Sequence, residues 1–233
     1  MKKSQQIFLL IVLILVADQG LKLWIKTSYP TGEVMRVFGW DWFRLHFIEN
    51  SGMAWGWRFG NDTGKMILTL FRLAAVIGGT WYLRKLIKEK HSNGFLICAA
   101  LIYAGAAGNL IDSMFYGMIF DKGLHYSPVI NDYVGYMGIA EATGNGYSSF
   151  LHGSVVDMLY FPMISGTFPD WLPLVGGQPF EFFSPIFNIA DASISIGVIV
   201  LLLFQKRLME KPVGTKTPTG VTNSTISDTT ETM

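Results

Sequence analysis

Two aspartates carry the chemistry that this chain could perform. Asp157 closes the run Gly153-Ser-Val-Val-Asp157, and Asp191 lies in the hydrophobic segment that opens Phe187-Asn-Ile-Ala-Asp191. Neither has a cation beside it in the sequence, and a lone carboxylate at the edge of hydrocarbon is costly to keep. Brought together there, the two would share one proton, because adjacent negative charges do not both persist in a low dielectric. The ionised partner can take a proton from water while the protonated partner donates to a scissile carbonyl, which is the chemistry of an aspartic protease. No nucleophilic side chain is required, and Ser154 and Ser193 read as turn and helix polarity.

The elements that must position the pair are membrane helices. Of the 233 residues 50% are hydrophobic and only 15% charged, with a mean hydropathy of +0.35. The apolar residues fall in blocks long enough to cross a bilayer, which takes roughly 17–25 helical residues. These blocks run from about Ile7 to Trp24, Met66 to Leu83, Gly94 to Tyr116 and Ile186 to Phe204, so four spans are expected. Val155–Ile164 is apolar but too short to cross and is interrupted by Pro162, so it is expected to be re-entrant or interfacial. The fold class implied is an all-α membrane protein.

Charge orients the spans. Lys2 and Lys3 precede the first; Arg84, Lys85, Lys88 and Lys90 link the second to the third; Lys206, Arg207 and Lys211 follow the fourth. Those sites are cytoplasmic by the positive-inside bias. The connection 117–185 has Lys122 as its single lysine or arginine and suits the outside, whereas the 26–65 loop, with five, obeys the bias less well. Both termini are therefore expected in the cytoplasm. Basic residues that flank spans form no nucleic-acid stripe. Cys98 is the sole cysteine, so no disulfide framework exists, and four histidines without ligand spacing imply no metal and no cofactor. The first block lacks a small-x-small cleavage site, since Leu15-Val-Ala17 begins with a large residue, and is read as a mature helix.

Outside the spans, Trp42, Arg44 and His46 alternate with Phe43, Leu45 and Phe47, the period of a half-buried strand. A small antiparallel sheet over about 33–60, punctuated by Gly52, Gly56 and Gly60, would rest on the outer face of the membrane. The second loop, with Trp171, Pro173, Phe180, Phe182 and Phe183, suits an interfacial flap. Residues 212–233 are rich in Thr and Ser and read as a disordered cytoplasmic tail behind one membrane domain, 1–211.

With these spans and this orientation, the intramembrane polar residues fall at one depth, just below the outer surface. Asp18 and Lys22 are spaced i, i+4, so one helix face holds them as an ion pair. Asn109 and Asp112, and again Asn188 and Asp191, are spaced i, i+3 and can bridge helices. Ser184-Pro185 suits an N-cap with proline at the first helical position, placing Asp191 about 7–9 Å along its helix. Arg72 is a cation without a sequence partner.

The series Asp18-Gln-Gly-Leu-Lys22, Asn50-Ser-Gly-Met-Ala-Trp-Gly56, Gly108-Asn-Leu-Ile-Asp112, Val155-Val-Asp157 and Phe187-Asn-Ile-Ala-Asp191 resembles lipoprotein signal peptidase, the bacterial type II signal peptidase. The resemblance implies four spans with a small extracytoplasmic β-cradle in the cytoplasmic (inner) membrane, and an active site near the outer leaflet. It implies removal of signal peptides from prolipoproteins whose lipobox cysteine carries a diacylglyceryl group, cut on the N-terminal side of that cysteine. Carried over by position, Asp157 and Asp191 are the catalytic dyad. Asn50, Gly108, Asn109, Asp112, Asn188 and Ala190 surround the pocket, and Asp18 and Lys22 are the paired residues of the first helix. Where the family has an arginine that helps hold the substrate backbone, this chain has Ser113; Arg72 and Lys22 are the candidate replacements. The link from Asp112 to Asp157 carries an insertion of roughly 118–151, whose His125, Asp132 and Glu141, with His152 just beyond, read as solvated loop residues.

Membrane lipids and lipidated precursors are the partners so implied; oligomeric state is open, with a monomer expected. Two readings of other classes compete. One is a proton-coupled transporter component, since proton relays use intramembrane carboxylates. The other is a scaffold whose buried polar groups only hold helices together. Against the transporter, the polar groups form a single layer and do not line a route across the bilayer.

Overall fold

The computed structural model describes residues 1–52, 61–182 and 184–209. Four helices are long and apolar enough to cross a membrane. They are α1 (Lys3–Ser28), α2 (Asp62–Lys88), α3 (Asn93–Ile111) and α5 (Ile189–Met209). α3 continues through a π-helical turn, Asp112–Tyr116, into the short α4 (Gly117–Ile119).

α3 is the most buried of the four and touches each of the others. Small residues allow this, because apolar surface gains little from leaving lipid and close backbone approach must supply the attraction. A Cβ at Gly105 would stand 2.2 Å from the Ala190 carbonyl oxygen, and one at Gly197 would stand 2.9 Å from that of Cys98. The α3–α5 crossing is thus set by glycine on both partners. Cys98 is buried there as a free thiol. Ser92 caps α3 by accepting from the Phe95 amide, and Asn61 caps α2 by accepting from Gly64.

One four-stranded antiparallel sheet has the order β1 (Val34–Arg36), β2 (Arg44–Asn50), β5 (Val155–Tyr160), β8 (Ile186–Phe187). Two hairpins stand apart: β3 (His125–Ser127) with β4 (Asp132–Val134), and β6 (Ile164–Thr167) with β7 (Pro179–Phe182). The sheet expected from residues 33–60 alone therefore also draws β5 from the second loop and β8 from the expected start of the fourth span. The alternation beginning at Trp42 becomes strand only from Arg44. Gly56, Gly60, Phe183 and the tail 212–233 lie outside the described residues.

Two expectations are corrected. Of the re-entrant or interfacial segment expected at Val155–Ile164, the re-entrant form is overturned: Val155–Tyr160 is the inner strand β5, paired with β2 on one side and β8 on the other. Its Val155, Val156, Asp157 and Met158 are all buried, so the two-residue alternation is missing and the run reads as apolar throughout. Nor does Ser184-Pro185 start the last helix. Ile186 and Phe187 pair with Tyr160 and Leu159, and the helix begins at Ile189.

The apolar interior is divided. One cluster joins Ile7, Ile11, Leu83, Leu86, Phe95 and Leu96 among the helices; the other joins Ile25, Phe47, Tyr116, Phe120, Val156 and Met158 beneath the sheet. Asp18 and Lys22 on α1, and Asn109 at the end of α3 with Asp112 opening the π-helical turn, lie in sequence between the residues that feed these two clusters.

Candidate active site

The start of α5 is built as a reciprocal cap. Asn188 precedes the first turn, and its side-chain oxygen accepts from the Asp191 amide at 2.8 Å. The Asp191 carboxylate in turn accepts from the Asn188 amide at 3.4 Å. This is a capping box with aspartate as its acid, and it fixes Asp191 in the first turn, where the helix N-terminus favours negative charge. Asp18 of α1 accepts from the next free amide, that of Ala190, at 2.9 Å. The orphan donors of the helix start are thus shared between its own cap and a neighbouring helix.

Asn188 also reaches the other aspartate. Its side-chain nitrogen donates to Asp157 at 2.6 Å and to the side-chain oxygen of Asn109 at 3.1 Å. Asn109 donates to Asp191 at 2.7 Å. Asn50, near the end of β2, contributes a longer contact to Asp157 at 3.4 Å. One asparagine therefore touches both carboxylates, through its amide on one side and its side chain on the other.

The environments of the two differ. Asp157 is 3% exposed, and burial, reinforced by the negative charge of Asp191, pushes its carboxyl up from 3.8 to about 7. The charge of Lys22 and the contacts from Asn188 and Asn50 oppose that rise. Asp191 is only half-buried.

Beneath the pair lies a fully buried charge cluster. Lys22 contacts Asp18 and Asp112 at 2.8 Å each and donates to Asn109 at 3.0 Å. Two carboxylates around one ammonium can be tolerated in low dielectric only with further donors. Gln19 supplies them, donating to Asp112 at 2.8 Å and to Asp18 at 3.1 Å, and Tyr116 holds Gln19 by donating to its side-chain oxygen at 3.1 Å. The Val156 amide reaches Asp112 at 3.3 Å, which joins the cluster to β5. A Cβ at Gly108 would meet Asp18 at 2.8 Å and the Ala190 Cβ at 3.1 Å, so this position must be glycine for α1, α3 and α5 to meet.

Every residue singled out in the sequence lies in this one network: Asp157, Asp191, Asp18, Lys22, Asn50, Gly108, Asn109, Asp112, Asn188 and Ala190. Gln19 and Tyr116 were not singled out, although glutamine in an apolar span is itself a signal of a polar contact. Among the described residues no cluster of side chains suits a metal ion.

A model of the family described as Signal peptidase (SPase) II matches residues 10–131 and 130–206, which include all of these positions. This chain belongs to the signal peptidase II family. A lipoprotein signal peptidase of Porphyromonas gingivalis is 47% identical over 199 residues, 85% of this chain and 81% of the relative. That of Amoebophilus asiaticus is 34% identical over 231 residues, 98% and 89% respectively. The fold is that of a bacterial membrane enzyme solved in meso at 1.9 Å resolution, with a TM-score of 0.52 at 23% identity over 86% of this chain and 92% of that one. As a signal peptidase II the protein is an aspartic endopeptidase, and the transporter reading has nothing in its favour.

The segment 118–151, expected to be an insertion, is docked. Lys26 is wholly buried, pairs with Glu49, donates to the Lys122 carbonyl at 3.0 Å and lies 4.9–5.3 Å from the rings of Phe120, Tyr136 and Tyr147. Asp132 and Glu141 are exposed as expected, whereas His125 and His152 are half-buried.

Proposed function

We propose that this signal peptidase II removes the signal peptide from diacylglyceryl-modified prolipoproteins by water attack at a dyad of Asp157 and Asp191. The observation that carries this reading is Asn188, which holds both carboxylates at once. Two acids so held share a proton. The helix N-terminus and the donors Asn109 and Asn188 favour the charge on Asp191, while burial favours the proton on Asp157.

Asp191 then takes a proton from water as the oxygen bonds to the scissile carbonyl carbon, and Asp157 gives its proton to the carbonyl oxygen. On collapse the C–N bond breaks, Asp191 returns its proton to the leaving amine, and Asp157 recovers one from the hydroxyl that becomes carbonyl. The products are the signal-peptide carboxylate and the free amine of the lipidated cysteine. Asp18, Lys22 and Asp112 fix the helices; Asn50, Asn109, Asn188, Gly108 and Ala190 shape the pocket.

In this reading residues 1–211 form one multi-pass unit of the inner membrane with both termini cytoplasmic. The sheet lies on the outer face, where water reaches the dyad and a lipidated precursor arrives sideways through the leaflet, and the β6–β7 hairpin is a flap at headgroup level. The deciding test replaces each acid by its amide. Asp157→Asn and Asp191→Asn are each expected to abolish cleavage of a diacylglyceryl lipobox precursor in detergent while remaining inserted; near-normal turnover by either removes the assignment.

A further inference from the structure

Among the described residues, Arg72 is a cation of this site whose donors the architecture leaves largely unused. Lys22 is fully buried and surrounded by Asp18, Asp112 and Asn109. Lys65, on the same face of α2, donates to Ser154 at 3.1 Å, and Thr69 between them donates to the Leu151 carbonyl at 2.9 Å. Arg72, the third member of that stripe, makes one hydrogen bond, to Ser113 at 2.9 Å, and no ion pair among the described residues. A guanidinium carries five N–H donors in a planar fork, so donors remain.

Their surroundings are informative. Arg72 is linked to the dyad through two residues, Ser113 and Asn109. Ser113 braces it and itself donates to the Asn109 carbonyl at 2.9 Å, one residue from a direct contact with Asp191. Arg72 is half-buried. One helical turn further along α2, at Ala75, begins an apolar groove of about 420 Å³ between α2, α3 and α5, lined also by Gly79, Ala99, Ile102 and Leu202.

We propose that Arg72 is a substrate-binding residue: its free donors grip a main-chain carbonyl of the precursor beside the scissile bond, with Ser113 holding the side chain in place. The proposal rests on the dyad reading above. It separates Arg72 from Lys22 as the residue that meets substrate, and places the contact on α2.

The test is steady-state cleavage of a synthetic diacylglyceryl lipobox peptide by the full-length enzyme in detergent. A charge-assisted hydrogen bond lost equally from ground and transition states raises KM and spares kcat. Arg72→Gln is expected to raise KM about ten- to hundred-fold, with kcat within a few-fold and an unshifted pH profile. Arg72→Gln combined with Ser113→Arg, which returns a guanidinium to the same space from the π-helical turn after α3, is expected to recover most of the loss. A KM within twofold of the parent overturns the proposal. So does a displaced pH profile at unchanged KM, which would make Arg72 an electrostatic neighbour of the dyad, and so does a double variant no better than Arg72→Gln. None of these results touches the dyad reading, which stands or falls on whether the Asp157→Asn and Asp191→Asn enzymes are inactive.

Discussion

Asp157→Asn is expected to stabilise the protein as it inactivates it, and to do so only away from acid. The rise of this carboxyl from 3.8 to about 7, at about 1.36 kcal/mol for each pH unit, means that ionising it in the folded state costs about 4 kcal/mol more than in the unfolded chain. The sign follows from proton counting. Below pH 3.8 both states are protonated and the penalty is absent. Between about 4 and 7 the folded state holds a proton that the unfolded state has released, so stability falls as pH rises, and above about 7 the full penalty applies. Asparagine has the same shape and no charge. Its amide nitrogen must face the donors Asn188 and Asn50 at one of their two contacts, a mismatch of about 1–2 kcal/mol. The net gain at pH 8 is thus about 2–3 kcal/mol, or roughly 5–10 °C for a chain of this size. Thermal unfolding of the parent and the variant in one detergent at pH 4, 6 and 8 checks it. A variant no more stable than the parent at pH 8, or a gain that does not shrink toward pH 4, would show that Asp157 is not the strained group described here.

Two other perturbations test the frame around the pair. Lys22→Met leaves Asp18 and Asp112 buried without their cation and is expected to destabilise by about 3–5 kcal/mol; adding Asp112→Asn should return part of it, both read as unfolding temperature in detergent. Gly105→Val places branched atoms where even a Cβ stands 2.2 Å from the Ala190 carbonyl, so α5 must shift; a loss of about 1–3 kcal/mol and a fall in kcat larger than the change in KM are expected in the precursor assay.

How much of this was legible in the sequence depends on what each residue is surrounded by. Asp18, Lys22, Asn109, Asp112, Asn188 and Asp191 stand out because polar groups in apolar spans are costly and must find one another. The spans are legible for the complementary reason, their unbroken hydrophobicity. β5 was not legible as a strand, because both its faces are covered and the alternation that marks a strand is lost. The start of α5 was misplaced because Ile186 and Phe187 extend the apolar run of the helix while pairing with β5; the real signal was Asn188 three residues before Asp191, an N-cap and its acid. The anchoring of the insertion by Lys26 and Glu49 is a contact between α1 and β2 with no local pattern to announce it.

The misplaced helix start is also what makes the site precise. Asp157 is directed by a strand in the interior of a sheet, where a slip of one residue would turn it to the opposite face. The β2–β5 register does shift, between Leu45 and Ile48, and settles with Ile48 opposite Asp157. Asp191 is directed by a capping box, whose geometry fixes the first turn of a helix. Had α5 begun at Ser184, Asp191 would sit two turns inside the helix, with its amide bonded to a carbonyl and no link through Asn188 to the strand. Ending β8 at Phe187 and starting α5 at Ile189 leaves Asn188 alone between two regular structures, its amide on Asp191 and its side chain on Asp157. The two acids are therefore aligned by backbone hydrogen bonding on either side of a single residue, so side-chain packing alone need not hold them together.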